Sequence, residues 1–257
     1  METKLLIAAI VLFVISRLVR GKRKEIKGVW GKVYNEIFEW LETGWSAVLL
    51  ASFIMYFFLQ AFKIPTGSMR MTFVEGDHLF VNKFIYGFHV PLTNGTRLFP
   101  LKKVKRGDIV VFIAPPAALS PFEREKKIKK DFIKRCVAVG GDVVEIRNKV
   151  LYLNGKPLVE PYAANVDDMI LPSAHALRSL RRDEYQKAWQ QGRFANALAS
   201  VRDNFGPVVI PEGHYFVMGD NRDRSLDSRY WGPLSDRNIK GSPLFIYWPV
   251  SRMRIVK

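Results

Sequence analysis

The chain has 257 residues, with 40 Lys and Arg against 24 Asp and Glu, a net charge of +16 and one cysteine. Its 48% hydrophobic and 25% charged residues supply enough apolar side chains for a core, which excludes disorder over most of the length and suits one or two domains. Cys136 has no partner within the chain, so a disulfide-stapled fold is excluded too, and the cysteine count leaves the redox compartment open.

A mean hydropathy of −0.02 in so basic a chain means that the apolar residues are concentrated somewhere. The first concentration is Leu5 to Ile15, followed by Ser16, Arg17, Leu18, Val19 and Arg20 rather than by the small-x-small site of a secretory signal. Residues 4–20 are therefore expected to form a short membrane span, with Arg17 snorkelling to the interface. The second is WSAVLLASFIMYFFLQAF, eighteen uncharged residues from Trp45 to Phe62. At about 1.5 Å per residue this run nearly crosses a hydrocarbon layer of about 30 Å, and it is predicted to be a transmembrane helix over 45–62. The connection 21–44, with Arg17 and Arg20 at its entrance, holds Lys22, Arg23, Lys24, Lys27 and Lys32 and reads as a cytoplasmic loop by the positive-inside rule. Residues 63–257 then form an extracytoplasmic domain.

That domain reads as strand and turn. Gly76-Asp77, Gly107-Asp108 and Gly141-Asp142 each lead into a β-rich run (HLFVNKFIY, IVVFIA and VVEI), and Gly219-Asp220 repeats the dipeptide. Asn154-Gly155 between VLYL and KPLVE is a hairpin signal. Residues 173–204 differ, with Leu177, Leu180, Ala188, Trp189, Leu198 and Val201 at helical spacing, and are expected to be a helical insertion in an all-β body. The lysine-rich stretch 122–130 is expected to be a solvated loop.

The chemistry is not in the histidines. His78, His89, His175 and His214 show no HExxH spacing, there is no second cysteine for a zinc site, and G-x-S-x-G is absent, so no metal or cofactor is expected. Ser68, in Ile64-Pro65-Thr66-Gly67-Ser68-Met69 directly after the apolar run, lies in an abrupt turn whose backbone N–H groups are free to meet a substrate oxygen. A membrane-exit turn would read the same way, and a serine hydroxyl needs a base. Asp131-Phe132-Ile133-Lys134-Arg135-Cys136 supplies a candidate: strand alternation puts Lys134 with Phe132, Cys136 and Ala138, where desolvation lowers an amine's pKa, although a lysine there can also snorkel outward. In the segment 219–229, Asp227 and Arg229 suit a charge-assisted pair and Ser225 can orient an amine; alone, it also reads as a polar surface loop or a cation-binding loop.

Together these segments resemble type I signal peptidase, the membrane-anchored bacterial leader peptidase: two amino-terminal apolar segments, PTGSM at 65–69, RGDIVVF at 106–112, DFIKRCVAVGGD at 131–142 and GDNRDRSLDSRYWG at 219–232. The resemblance implies a mainly β, antiparallel catalytic domain behind two transmembrane helices, on the outer side of the bacterial inner membrane. It implies Ser68 as nucleophile and Lys134 as general base, Ser225 hydrogen-bonding the lysine, Thr66 as an oxyanion donor beside the Ser68 N–H, and Asp227 with Arg229 holding the site together. Phe62, Ile64, Pro65, Met69, Phe132 and Ile133 would line shallow pockets for small side chains at substrate positions −1 and −3.

The implied substrates are exported preproteins, cut after small-x-small sequences. Met71 and Phe73 stand where the family usually has Pro and Leu, and Phe73 is expected to narrow a substrate pocket. This departure suggests the alternative of a peptidase with narrower clients, in pilus or conjugation systems. A non-enzymatic basic membrane protein that binds anionic lipid or nucleic acid is the alternative of another class. Residues 63–257 hold 32 basic and 19 acidic residues, an excess that suits an anionic phospholipid surface better than a nucleic acid.

Overall fold

The computed structural model describes residues 2–22, 29–89, 97–196 and 198–256 of the chain, which divides into two compact units at Gln60. The first unit is a pair of helices, α1 (Glu2–Lys22) and α2 (Val29–Phe57), with Phe13 set edge-on to Trp45 at 5.1 Å. α1 is helical throughout, but its uncharged run is the twelve residues from Leu5 to Ser16, about 18 Å of helix, well short of a hydrocarbon layer of about 30 Å. Among the described residues one helix, α2, is long and apolar enough to cross a membrane, over Asn35–Met55.

Two sequence expectations change here. Residues 29–44, expected as loop, are the first half of α2, because Lys32, Glu36, Glu39 and Glu42 lower the hydropathy without breaking a helix. The helix ends at Phe57 instead of 62, since Leu59–Lys63 become strand β1 at the outer edge of a sheet, where backbone pairing outweighs a helical continuation. Arg23, Lys24 and Lys27 of the basic connection lie outside the described residues.

The second unit follows with β2 (His78–Asn82), β3 (Phe88–His89), β4 (Arg97–Leu98), β5 (Ile109–Ile113), α3 (Pro121–Glu125), β6 (Asp131–Val139), β7 (Val143–Arg147), β8 (Val150–Leu153) and β9 (Lys156–Pro157). Next come α4 (His175–Arg178), α5 (Arg182–Gln190), α6 (Leu198–Val201), β10 (Phe205–Val209), β11 (His214–Met218), α7 (Ser228–Trp231), β12 (Leu234–Ser235), β13 (Ile239–Trp248) and β14 (Arg254–Ile255). The larger sheet runs β1-β2-β13-β5-β6-β11-β12, with β14 added to β13; a second sheet runs β10-β7-β8-β9, and β3 pairs with β4. The recorded strand pairings are antiparallel, as the turn-rich text requires.

Gly76, Gly107 and Gly141 have φ of +93°, +88° and +86°, left-handed values that suit glycine in the turns entering β2, β5 and β7. The expected helical insertion is present as α4, α5, a 3-10 turn at 193–196 and α6, and it buries Tyr185, Trp189, Phe194 and Val201 against Phe205 and Phe216. Trp189 also donates from Nε1 to the Ser228 carbonyl at 2.7 Å, which ties the insertion to α7. The expected loop 122–130 begins instead as α3, closed by a reciprocal Ser120–Glu123 capping box, while Lys126, Lys127, Lys129 and Lys130 stay exposed.

Candidate active site

Ser68 is held between two buried anchors. Ile64 and Met69 both sink into the core formed with Phe73, Leu79 and Val111, and the short 3-10 turn Gly67–Met69 leaves Ser68 between them. The backbone of Ile64 pairs with the turn before β2, its N–H donating to Asp77 O at 2.8 Å and its carbonyl accepting from Gly76 at 2.9 Å. On the other side the loop after β11 closes against the serine: Asn221 N–H donates to Ser68 O at 3.1 Å, and Asn221 Nδ2 donates to Gly67 O at 3.2 Å. Glycine at 219 is what permits this approach, because a Cβ there would stand 2.4 Å from Ser68 O and 2.3 Å from Ser225 Oγ.

Lys134 comes from the middle of β6, opposite Val110 of β5, and its Nζ lies 2.7 Å from Ser68 Oγ and 3.1 Å from the Ile133 carbonyl. The Phe132 ring lies 5.5 Å from the same amine. Strand alternation places Phe132 and Cys136 in one core cluster and Ile133 in another, as expected, but a bulge opposite Phe216 and Val217 breaks it, and Val137 and Ala138 enter one cluster together. Burial pushes the Lys134 pKa down most strongly; Asp227 and Asp220 oppose this and Arg229 assists it, leaving the amine at about 8 against an ordinary 10.5.

The Asp227 and Arg229 side chains are both buried and bidentate, with Nε–Oδ1 and Nη2–Oδ2 each at 2.9 Å. Burial pushes the Asp227 carboxyl up, but the Arg229 charge and hydrogen bonds outweigh it and hold the group below the usual carboxylate range. Arg229 also donates to the carbonyls of Arg202 and Arg222 at 2.7 and 2.6 Å, so it fastens the loop to the helical insertion.

Several expected roles fall differently. Ser225 Oγ accepts from Gly219 N–H at 3.1 Å and bonds the Asp227 carboxylate; among the described residues no hydrogen bond joins it to Lys134. Ile64 and Met69, expected to line substrate pockets, are core residues, because the turn that carries Ser68 to the cavity is anchored by burying them. Phe73 likewise packs in that core, so it narrows no pocket, whereas Met71 is exposed. Phe62, Pro65, Thr66, Phe132 and Ile133 do border the cavity of about 550 Å³ beside Ser68 and Lys134. A second cavity, of about 600 Å³, lies between the helical insertion and the smaller sheet, away from both residues.

Behind the lysine lies an ion pair that no local sequence signal marks. Arg135, the next residue, grips buried Asp220 with Nε–Oδ1 at 2.9 Å and Nη2–Oδ2 at 2.8 Å, and its guanidinium stacks on Tyr162 at 4.0 Å. Buried Arg222 is paired with Glu160 at 2.5 and 2.7 Å. Of the histidines, His78 meets Tyr247 and His214 the Glu212 carbonyl, His175 opens α4, and the His89 side chain lies outside the described residues.

The family model described as signal peptidase, peptidase S26, matches residues 37–248. Signal peptidase I of Pseudomonas aeruginosa is 35% identical, over 77% of this chain and 68% of its own length. Signal peptidase I of Helicobacter pylori strain 26695 is 31% identical over 85% of this chain and 83% of its own, and that of Bacillus licheniformis 30% identical over 86% and 93%. With a serine and a buried lysine in contact inside the matched region, the chain belongs to the signal peptidase family, peptidase S26, as a serine endopeptidase of type I.

Proposed function

We propose that the chain removes amino-terminal signal peptides from exported preproteins, cutting after small-x-small sequences with Ser68 as nucleophile and Lys134 as general base. The observation that carries this reading is the 2.7 Å contact between Ser68 Oγ and a buried Lys134 whose pKa is lowered to about 8. A neutral amine offers a lone pair to the serine hydroxyl, so the proton moves to Nζ as Oγ attacks the substrate carbonyl carbon. The Ser68 N–H and the Thr66 hydroxyl at the cavity edge then donate to the oxyanion. Lys134 returns the proton to the departing amine, and water, deprotonated by the same lysine, cleaves the ester on Ser68. Asp227 and Arg229 hold the loop that faces the lysine, and Ser225 acts through Gly219 and Asp227.

The substrate reads as an added strand between residues 64–66 and Phe132–Lys134, with alternating side chains directed into the cavity bordered by Phe62, Pro65, Phe132 and Ile133. The apolar α2 supports anchoring in the bacterial inner membrane, with residues 63–257 on the extracytoplasmic side. Tethering enzyme and precursor to one surface makes their encounter local and raises effective concentration. The basic surface of that domain suits anionic phospholipid. The Ser68–Lys134 contact favours an enzyme over a non-catalytic lipid- or nucleic-acid-binding protein.

The pH profile tests this reading. Because Lys134 must be neutral, kcat/KM is expected to rise tenfold per pH unit below an apparent pKa of about 8 and to level off above it. A profile flat between pH 6 and pH 9, with roughly equal rates throughout, contradicts lysine as the base.

A further inference from the structure

The cavity beside Ser68 has a charge imbalance at its rim. Besides Lys134, five ionisable side chains border it: Arg70, Glu75, Lys130, Asp131 and Arg224. Four are matched. Arg70 pairs with Glu75 at 2.5 Å, Lys130 with Glu123, and Asp131 with Lys240 at 2.8 Å. Arg224 is exposed, and among the described residues its guanidinium has no hydrogen bond or ion pair; its recorded bond is from its backbone N–H to Asn221 O at 3.3 Å.

The base of Arg224 is nevertheless fixed relative to Ser68. It ends the 3-10 turn Arg222–Arg224, whose first residue is locked by the buried pair with Glu160 and by an Arg222 Nε bond to Gly219 O at 3.1 Å. Asn221, just before the turn, holds the backbone of Gly67 and Ser68. A rigid stem with an unpaired, planar guanidinium at a substrate cavity is suited to a carboxylate, which it can meet with two parallel hydrogen bonds.

We propose that Arg224 is a specificity-determining residue that favours precursors carrying an Asp or Glu side chain close to the scissile bond, an inference that rests on the assignment of this cavity to the substrate. Positions −1 and −3 take small side chains in that assignment, so the carboxylate belongs to a neighbouring position. For an exposed ion pair the expected preference is modest, about two- to fivefold in kcat/KM.

The test uses the full-length enzyme in detergent and peptides built on one cleavable precursor sequence, with Asp, Asn or Lys placed in turn at −2, +1, +2 and +3. Wild type is expected to prefer Asp to Asn by about two- to fivefold at one of these positions, with the ratio shrinking as salt is raised. In Arg224→Gln the ratio falls to one, and Arg224→Glu favours Lys at that position. The Asp/Asn ratio is the readout because a merely structural role for Arg224 slows all peptides alike. A wild type that cuts the neutral parent but shows no Asp preference, or an unchanged ratio in Arg224→Gln, overturns this inference alone. Failure of wild type to cut the parent, or cleavage of it by Ser68→Ala, overturns the underlying assignment and this inference with it.

Discussion

Lys134→Met is expected to lower kcat/KM by up to about 10⁴-fold while making the folded protein more stable at neutral pH. The activity loss follows from removing the base at 2.7 Å from Ser68 Oγ. The stability gain follows from the sign of the pKa shift. In the folded protein the amine titrates at about 8, and in the unfolded chain near 10.5, so between these values the unfolded chain holds the extra proton and wild-type stability rises with pH. Below pH 8 the full penalty of a charged, buried amine is present, about 3 kcal/mol for the whole shift. Methionine has similar volume and no charge, so the variant escapes that penalty. Denaturant unfolding of both proteins in the same detergent from pH 6.5 to 11 checks this: the advantage of Lys134→Met is expected below pH 8 and should fade as the pH passes 10.5. An advantage independent of pH contradicts a depressed lysine.

Asp227→Asn is expected to cost about 3–5 kcal/mol, because it strips the charge partner from a buried arginine. Arg229 keeps its bonds to the carbonyls of Arg202 and Arg222, but these are dipoles rather than an opposing charge. The same substitution removes the largest influence that raises the Lys134 pKa. The acidic limb of the pH–rate profile therefore moves to lower pH in the variant, and the fraction of neutral lysine at pH 7 increases. Thermal unfolding measures the first effect and the pH dependence of kcat/KM the second. A limb that moves to higher pH would falsify the electrostatic coupling between Asp227 and Lys134.

The turns and the chemistry-bearing motifs were legible in the sequence because their signals are local. Gly-Asp at 76, 107 and 141 marks left-handed backbone, and the spacing of Leu177, Trp189 and Val201 marks the helical insertion. Helix ends were not legible from hydropathy, since Glu36, Glu39 and Glu42 are compatible with an exposed helix face, while the apolar run 59–62 is claimed by a sheet. Neighbours of the nucleophile were misread for a different reason. Ile64, Met69 and Phe73 are as apolar as pocket residues would be, and only the three-dimensional turn decides that they anchor Ser68 from beneath.

The partner of Ser225 was also set by tertiary contact. The loop places its hydroxyl on Gly219 N–H and the Asp227 carboxylate, a choice that spacing does not encode. Arg135 and Asp220 stand 85 residues apart, with no periodicity linking them, although each adjoins a motif already singled out. The glycine at 219 was read as a turn former; its φ is not left-handed, and its service is the space it leaves for Ser68 O.

The central claim, that Ser68 cuts the precursor after a small-x-small sequence, is tested most directly by mass-spectrometric mapping of products from a secretory precursor incubated with wild type and with Ser68→Ala. Wild type is expected to create one new amino terminus, directly after the small-x-small sequence, and the variant to lose the activity by roughly 10⁴-fold or more, leaving the precursor intact. Cleavage at the same bond by folded Ser68→Ala, at a rate near that of wild type, would contradict the account.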